Sequence, residues 1–254
     1  MLRCPDVGRR NDLAPHRVPG AVDTDASNSG NRDEIADVIN VDVYSDIVCP
    51  WCYIGHRRLS TAIAALPEGV KVAVTFRPFQ LDPGAPDTAE PLHARLQRKF
   101  GPRAGAMLAH VTAQATGEGL TMHWDQALSV NTRTAHRLLE LARRERGATG
   151  QLALLEQLFQ LYFTSGGNIA DVVQLADAAA RAGLDRAHVV AYLHSDDGVA
   201  ELEAAFEHAR RLGVESVPTF VLDGRYAVQG AQPATALVEA INEVARLRHI
   251  GGSS

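Results

Sequence analysis

From Asn40 to Tyr44 apolar and polar residues alternate, the pattern of a strand with one buried face, and order is expected to begin there. Over residues 52 to 66, Leu59, Ala62, Ile63 and Leu66 recur at helical spacing, and Pro67-Glu68-Gly69 breaks the helix. Val70, Val72, Val74 and Phe76 then alternate with Lys71, Ala73, Thr75 and Arg77, a period of two. Strand, helix and strand make a βαβ unit.

From about 87 to 212 the pattern is helical throughout. Leu138, Leu139, Leu141 and Ala142 mark one segment, and Leu154, Leu155, Leu158, Leu161 and Tyr162 the next. Gly166 and Gly183 read as stops after helices and Asp171 as a start. Beyond this stretch, Thr219-Phe220-Val221-Leu222 and Arg225-Tyr226-Ala227-Val228 flank Asp223-Gly224, a tight turn that suits a hairpin. A last amphipathic helix over 233 to 248 opens at Pro233. The order is therefore βαβ, helices, ββα, an α/β chain with a helical insertion and no internal repeat. The expected division is a tail over 1 to 39, a first core part over 40 to 86, an all-helical insertion over 87 to 205, and a second core part over 206 to 250.

Residues 1 to 39 are rich in Asp, Asn, Ser, Gly, Pro and Arg without apolar periodicity. Such a stretch cannot offset the entropy of ordering, and it reads as a disordered tail or an overlong start, with Cys4 an incidental thiol. The 254 residues and 46% apolar content are ample for a core. A formal net charge of -5 leaves no excess of positive charge for phosphates or an anionic membrane surface, so nucleic acid and lipid are poor partners. No stretch reaches the roughly 20 apolar residues that a bilayer span needs. The first twenty residues lack the apolar core of a signal peptide, and Arg9 and Arg10 are followed by Asn11 and Asp12 and not by a hydrophobic run. The expected location is cytoplasmic.

Three cysteines, at 4, 49 and 52, are too few for the disulfide framework of a secreted scaffold. Cys49-Pro50-Trp51-Cys52 lies where the first strand meets the first helix. With Cys49 as N-cap, Pro50 falls at the first helical position, where its missing amide hydrogen is no loss. The Cys49 sulfur then faces free amides and the positive end of the helix dipole, a setting that favours thiolate, the attacking species in disulfide exchange. Cys52, a turn further in, is the less accessible partner that resolves the mixed disulfide. The competing reading of a CxxC pair is half a zinc site. Zinc usually takes four ligands, and neither a second cysteine pair nor a suitable histidine pair stands beside this one. Redox chemistry without a metal is the better expectation.

Far downstream, Ser216-Val217-Pro218-Thr219-Phe220 puts a proline just ahead of an apolar strand, where its lack of an N–H is tolerated.

Together these pieces resemble the DsbA-like branch of the thioredoxin superfamily, and within it the FrnE-type proteins. The stretches that carry the resemblance are Val43 to Gly55 around Cys-Pro-Trp-Cys, Phe76-Arg77-Pro78-Phe79-Gln80-Leu81-Asp82-Pro83, Asn131-Thr132 with Ala135-His136-Arg137-Leu138, and Val217 to Val228 with Gly230-Ala231-Gln232-Pro233. It spans about 40 to 248. The resemblance implies a thioredoxin-like fold interrupted by a helical domain, dithiol redox activity at Cys49 and Cys52, and a cis bond between Val217 and Pro218. It also implies that the Val217 main chain offers itself to an extended substrate, as one strand does to another.

Two departures from the family refine the expectation. Strongly oxidising secreted relatives carry a histidine where this chain has Trp51, and an indole offers a thiolate no comparable charge, so a more reducing couple is expected. The extra cysteine pair that some FrnE-type proteins carry near the C-terminus is absent. Asp46 reads as a solvated loop carboxylate, with tuning of Cys49 as the alternative. Asn131 reads as a helix cap and His136 as a satisfied partner, both outside the catalytic set. His123, Trp124, Phe159, Tyr162 and Phe163 either line a groove or, as helical spacing favours, belong to the core.

The expected partners are protein or small-molecule disulfides and a cellular thiol or reductase. No bound cofactor is expected beyond the redox-active disulfide. Lysine occurs only at 71 and 99, which raises mycothiol as a candidate low-molecular-weight reductant. The alternative function is a glutathione-dependent isomerase or transferase of the 2-hydroxychromene-2-carboxylate isomerase or kappa-class type. Those relatives typically lack a resolving partner, and Cys52 weighs against that reading.

Overall fold

The computed structural model describes residues 16–17 and 38–251, so Cys4 and nearly all of the expected tail lie outside the described residues. Strand β1 is the short pair His16–Arg17, and β2 is Val38–Ser45, which begins ahead of the expected Asn40. Ile39, Val41 and Val43 point into the core, as the alternation requires. Helix α1, Pro50–Ala64, leads to β3, Lys71–Pro78, which pairs in parallel with β2 and sets Val43 beside Phe76.

On the other side of β2 runs β6, Thr219–Leu222, antiparallel, and next to it β7, Tyr226–Gln229. Antiparallel pairing of β1 with β7 completes the order β1-β7-β6-β2-β3, so two residues of the expected tail join the sheet edge. Asp223 and Gly224 both have positive φ, 52° and 65°, as a tight hairpin turn between twisted strands demands. Arg248, from the last helix α8, Ala234–Gly251, pairs with Asp223 and donates to the Val38 carbonyl at 2.9 Å.

Between β3 and β6 lie α2 Leu92–Phe100, α3 Arg103–Gly117, α4 Arg133–Phe159, α5 Val172–Arg181, α6 Arg186–His194 and α7 Val199–Arg211. Helix α4 is broken at Gly147, whose φ of 67° and ψ of -165° are non-helical, and a π-helical turn follows over Gln160–Thr164. Gly166 and Gly183 adopt positive φ after their helices, and the Asp171 carboxylate caps α5 by accepting the Gln174 N–H at 2.9 Å. The insertion is not purely helical: β4, Glu90–Pro91, pairs with β5, Leu128–Ser129. The expected junction at 205/206 falls inside α7.

The insertion also closes the sheet. Gln151 in α4 is 1% exposed, and its carboxamide accepts the Phe76 N–H and donates to the Phe76 carbonyl, both at 3.0 Å. One side chain thus stands in for a neighbouring strand at the edge of β3, where free backbone groups would otherwise be buried without partners.

Candidate active site

The site is built where β2 hands over to α1. Cys49 is the N-cap, with φ -86° and ψ 112°, and Pro50 holds the first helical position as the sequence predicts. The Cys49 carbonyl accepts the Cys52 N–H at 3.0 Å and the Tyr53 N–H at 3.4 Å, which brings both sulfurs to the same helix end. Both are free thiols, and both are buried, Cys49 at 3% and Cys52 at 2% exposure. The Cys49 thiol donates to the Val217 carbonyl at 3.8 Å. The Val217–Pro218 bond is cis, as the resemblance implies.

Gly55 explains how closely the proline loop approaches. A Cβ at that position would lie 2.9 Å from Pro218 Cγ and 3.4 Å from Phe220 Cζ, so α1 admits the pyrrolidine ring only because residue 55 has no side chain. Trp51 is half-buried, its ring 5.7 Å from that of His110 in α3.

Two expectations are corrected here. Cys49 is expected to face free amides in a setting that favours thiolate; instead its proton is held well above the ordinary value of 9.0. The main cause is its hydrogen bond with the Cys52 sulfur, followed by burial and by the charges of Cys52 and Asp46, against which the Cys52 amide works in the other direction. The Cys52 amide at the helix terminus favours the thiolate as predicted, but the Cys52 sulfur and burial outweigh it.

Asp46 is likewise no solvated carboxylate: it is 1% exposed. Its amide donates to Cys52 Sγ at 3.5 Å and its carbonyl accepts the Cys49 N–H at 3.1 Å. Its carboxylate accepts the Leu81 N–H at 2.7 Å and lies 3.2 Å from His136 Nε2. That imidazole nitrogen is also 3.0 Å from the Phe79 carbonyl; since both neighbours are acceptors, Nε2 carries the hydrogen. Asn131 sits ahead of the α4 N-cap Thr132, accepts the Arg133 N–H and the Gln80 amide, and donates to the Ala85 carbonyl. Three of the stretches that carry the family resemblance, far apart in sequence, therefore meet at Asp46.

Phe159, Tyr162 and Phe163 are fully buried; Phe159 and Phe163 stack with Tyr53, and Tyr162 meets Phe163 edge-on, so they belong to the core and not to a groove. Trp124 donates to Thr112 Oγ1 at 2.8 Å and packs against Phe163. Among the described residues no cluster of His, Cys, Asp or Glu is arranged to hold a metal ion, and no helix is long and apolar enough to cross a membrane.

Comparison with known proteins agrees with this geometry. The family model of the DsbA-like thioredoxin domain matches residues 40–242. A probable DsbA oxidoreductase from Streptomyces coelicolor has a similar structure, with a TM-score of 0.75 and 37% identity over 81% of this chain and 89% of that one. The Bacillus subtilis protein YwbO is 25% identical over 207 residues, which cover 81% of this chain and 96% of YwbO. A 2-hydroxychromene-2-carboxylate isomerase shares the fold, with a TM-score of 0.60 and 17% identity over 85% of this chain and all of that one. The chain belongs to the DsbA-like thioredoxin family of disulfide oxidoreductases.

Proposed function

We propose that the protein is a thiol-disulfide oxidoreductase that cycles Cys49 and Cys52 between dithiol and disulfide, and that it works as a reductase or isomerase in the cytoplasm. The observation that carries this reading is the placement of the two thiols together at the N-terminus of α1, with Cys49 Sγ 3.8 Å from the Val217 carbonyl. Val217 and Pro218, just ahead of β6, present the main chain along which an extended disulfide substrate lies, and Pro50 and Trp51 shape the loop between the sulfurs.

Cys49, as thiolate, attacks one sulfur of the substrate disulfide; a bond forms to that sulfur, the substrate S–S bond breaks, and the other sulfur leaves as thiolate. Cys52 then gives up its proton and attacks Cys49 Sγ. The Cys49–Cys52 bond forms, the mixed disulfide breaks, and the second substrate sulfur leaves to take up a proton. A cellular thiol such as mycothiol, or a reductase, returns the pair to the dithiol. A couple is strongly oxidising when its reduced thiolate is stabilised. Here the hydrogen bond with Cys52, then burial, and then the charges of Cys52 and Asp46 oppose the Cys49 thiolate, which supports a reducing couple.

The test is the reduction potential of the pair, obtained by equilibration with thiol-disulfide buffers and followed by tryptophan fluorescence. The expected value lies in the range of cytosolic pools, about -220 to -320 mV. A value near that of a strong oxidant, about -120 mV, would refute the reductive direction. Failure to form an intramolecular disulfide would refute the dithiol mechanism and put the glutathione-dependent isomerase or transferase reading ahead.

A further inference from the structure

The most deeply buried carboxylate–imidazole contact among the described residues lies on the loop that carries the thiols. His136 and Asp46 have side chains only 3% and 1% exposed. Asp46 follows β2, whereas His136 comes from the first turns of α4 in the insertion, so the contact joins the helical part of the molecule to the loop that carries both cysteines. The imidazole is fixed from two further directions. The ring of Phe206, in α7, meets it edge-on at 5.7 Å, and the Phe79 carbonyl shares its Nε2 hydrogen. Helix α7 thus holds the ring, and the segment after β3 sets its height.

A buried carboxylate with few donors takes up a proton readily, because the charged form has lost its water. Asp46 has two donors from outside its own loop, the Leu81 N–H and His136. Its charge is felt around the site: it adds to the proton affinity of Cys49 after the Cys52 hydrogen bond, burial and the Cys52 charge, and to that of the Tyr162 phenol after burial.

Resting on the dithiol reading above, we propose that His136 is a positioning residue for the redox pair: by donating to Asp46 it holds a negative charge against Cys49, and so lets the helical insertion set how readily that thiol ionises. The other groups that face this pair are accounted for. Ser45, Arg77 and Glu140 line a cavity of about 10 Å³ shared with His136, and the Ser45 hydroxyl is buried there without a protein partner. Arg77 is engaged by Asp42 and Glu140 by Arg143, while on the α7 side Glu203 pairs with Arg133. These three arginines are paired with other carboxylates, so the donation from His136 is the contact to remove.

The experiment is the pH dependence of Cys49 alkylation in the reduced full-length protein, with the modified residue located by mass spectrometry. Four variants are compared with wild type: Asp46→Asn, His136→Leu, His136→Gln and the Asp46→Asn/His136→Leu double. The expected result is a downward shift of the profile in Asp46→Asn, from loss of a nearby like charge. His136→Leu shifts it in the same direction, because the carboxylate loses the donor that holds it in place against Cys49, and the double variant shifts it no further than Asp46→Asn alone. His136→Gln keeps a donor and stays near wild type. A His136→Leu profile that coincides with wild type, or a double variant whose shift is the sum of the two, would overturn the proposal. Should His136→Leu not fold, the imidazole nitrogen resonances of His136 in wild type are followed as Cys49 titrates: movement in step with the thiol supports the proposal, and silence overturns it. Intramolecular disulfide formation, scored by mass in the same samples, separates this failure from failure of the dithiol reading itself.

Discussion

Gln151→Leu tests whether the insertion is bonded to the core or merely leans on it. The carboxamide of Gln151 makes both hydrogen bonds available to the outward edge of Phe76, each 3.0 Å long, in surroundings where Gln151 is 1% and Phe76 4% exposed. Leucine keeps the approximate volume but leaves a buried N–H and a buried carbonyl without partners. Each orphaned group costs about 1 to 3 kcal/mol. Relief from burying a polar amide gives part of this back, and a net loss of about 3 kcal/mol is expected. Against a total stability of about 5 to 15 kcal/mol for a folded domain, that is a large fraction. In urea, with a slope of about 3 kcal/mol per M, the midpoint falls by about 1 M. Because β3 continues into the segment that supplies Leu81 N–H and the Phe79 carbonyl to the Asp46–His136 pair, the same variant should also alter Cys49 reactivity. A midpoint change below about 0.3 M would refute the reasoning, since it would mean that water reaches Phe76 or that the edge re-pairs.

Three further outcomes are expected. Gly55→Ala gains about 1 kcal/mol of helix propensity but loses about 1 to 3 kcal/mol to overpacking. The new methyl would sit 2.9 Å from Pro218 Cγ, so disulfide reduction should slow by more than the change in urea midpoint accounts for, and unchanged turnover would contradict the close approach. Cys49 binds its proton more tightly in the folded dithiol than the ordinary value of 9.0, so this contribution to stability is complete below about pH 9 and is lost as pH rises through the folded value. Urea titrations should therefore show the dithiol form losing stability in alkali more steeply than the disulfide form, and parallel curves would argue against it. Glu156 has its proton affinity lowered chiefly by its hydrogen bond with His56, with burial opposing and Gln160 and Arg57 assisting. Its stabilising effect is present above about pH 4.5 and fades in acid, so Glu156→Gln should cost about 1 kcal/mol at pH 7 and flatten the acid limb of stability against pH. An acid limb identical to wild type would refute that assignment.

The hairpin, the βαβ unit and the Cys-Pro-Trp-Cys helix start were legible because each is a local device. Alternation fixes which face of β2 is buried, Asp223-Gly224 supplies the two positive φ angles of the turn, and Pro50 marks the first helical position. The break at Gly147 also left its trace, in the two separate apolar segments that the helical pattern contains.

What the sequence by itself determined about this protein is thus the order of its elements, the family it resembles and the pair of cysteines at its centre. The tertiary structure alone decided the electrostatics around them. A carboxylate three residues before Cys49 reads as solvated until His136, ninety residues on, and Leu81 are brought against it. A helix N-terminus reads as thiolate-favouring until the sulfurs of Cys49 and Cys52 are buried together. Gln151 reads as an ordinary polar residue on a helix until it meets the open edge of β3. The physical reason is common to all three: charge state and hydrogen-bond satisfaction depend on solvent exclusion and on partners remote in sequence, and neither is set until the chain has closed on itself.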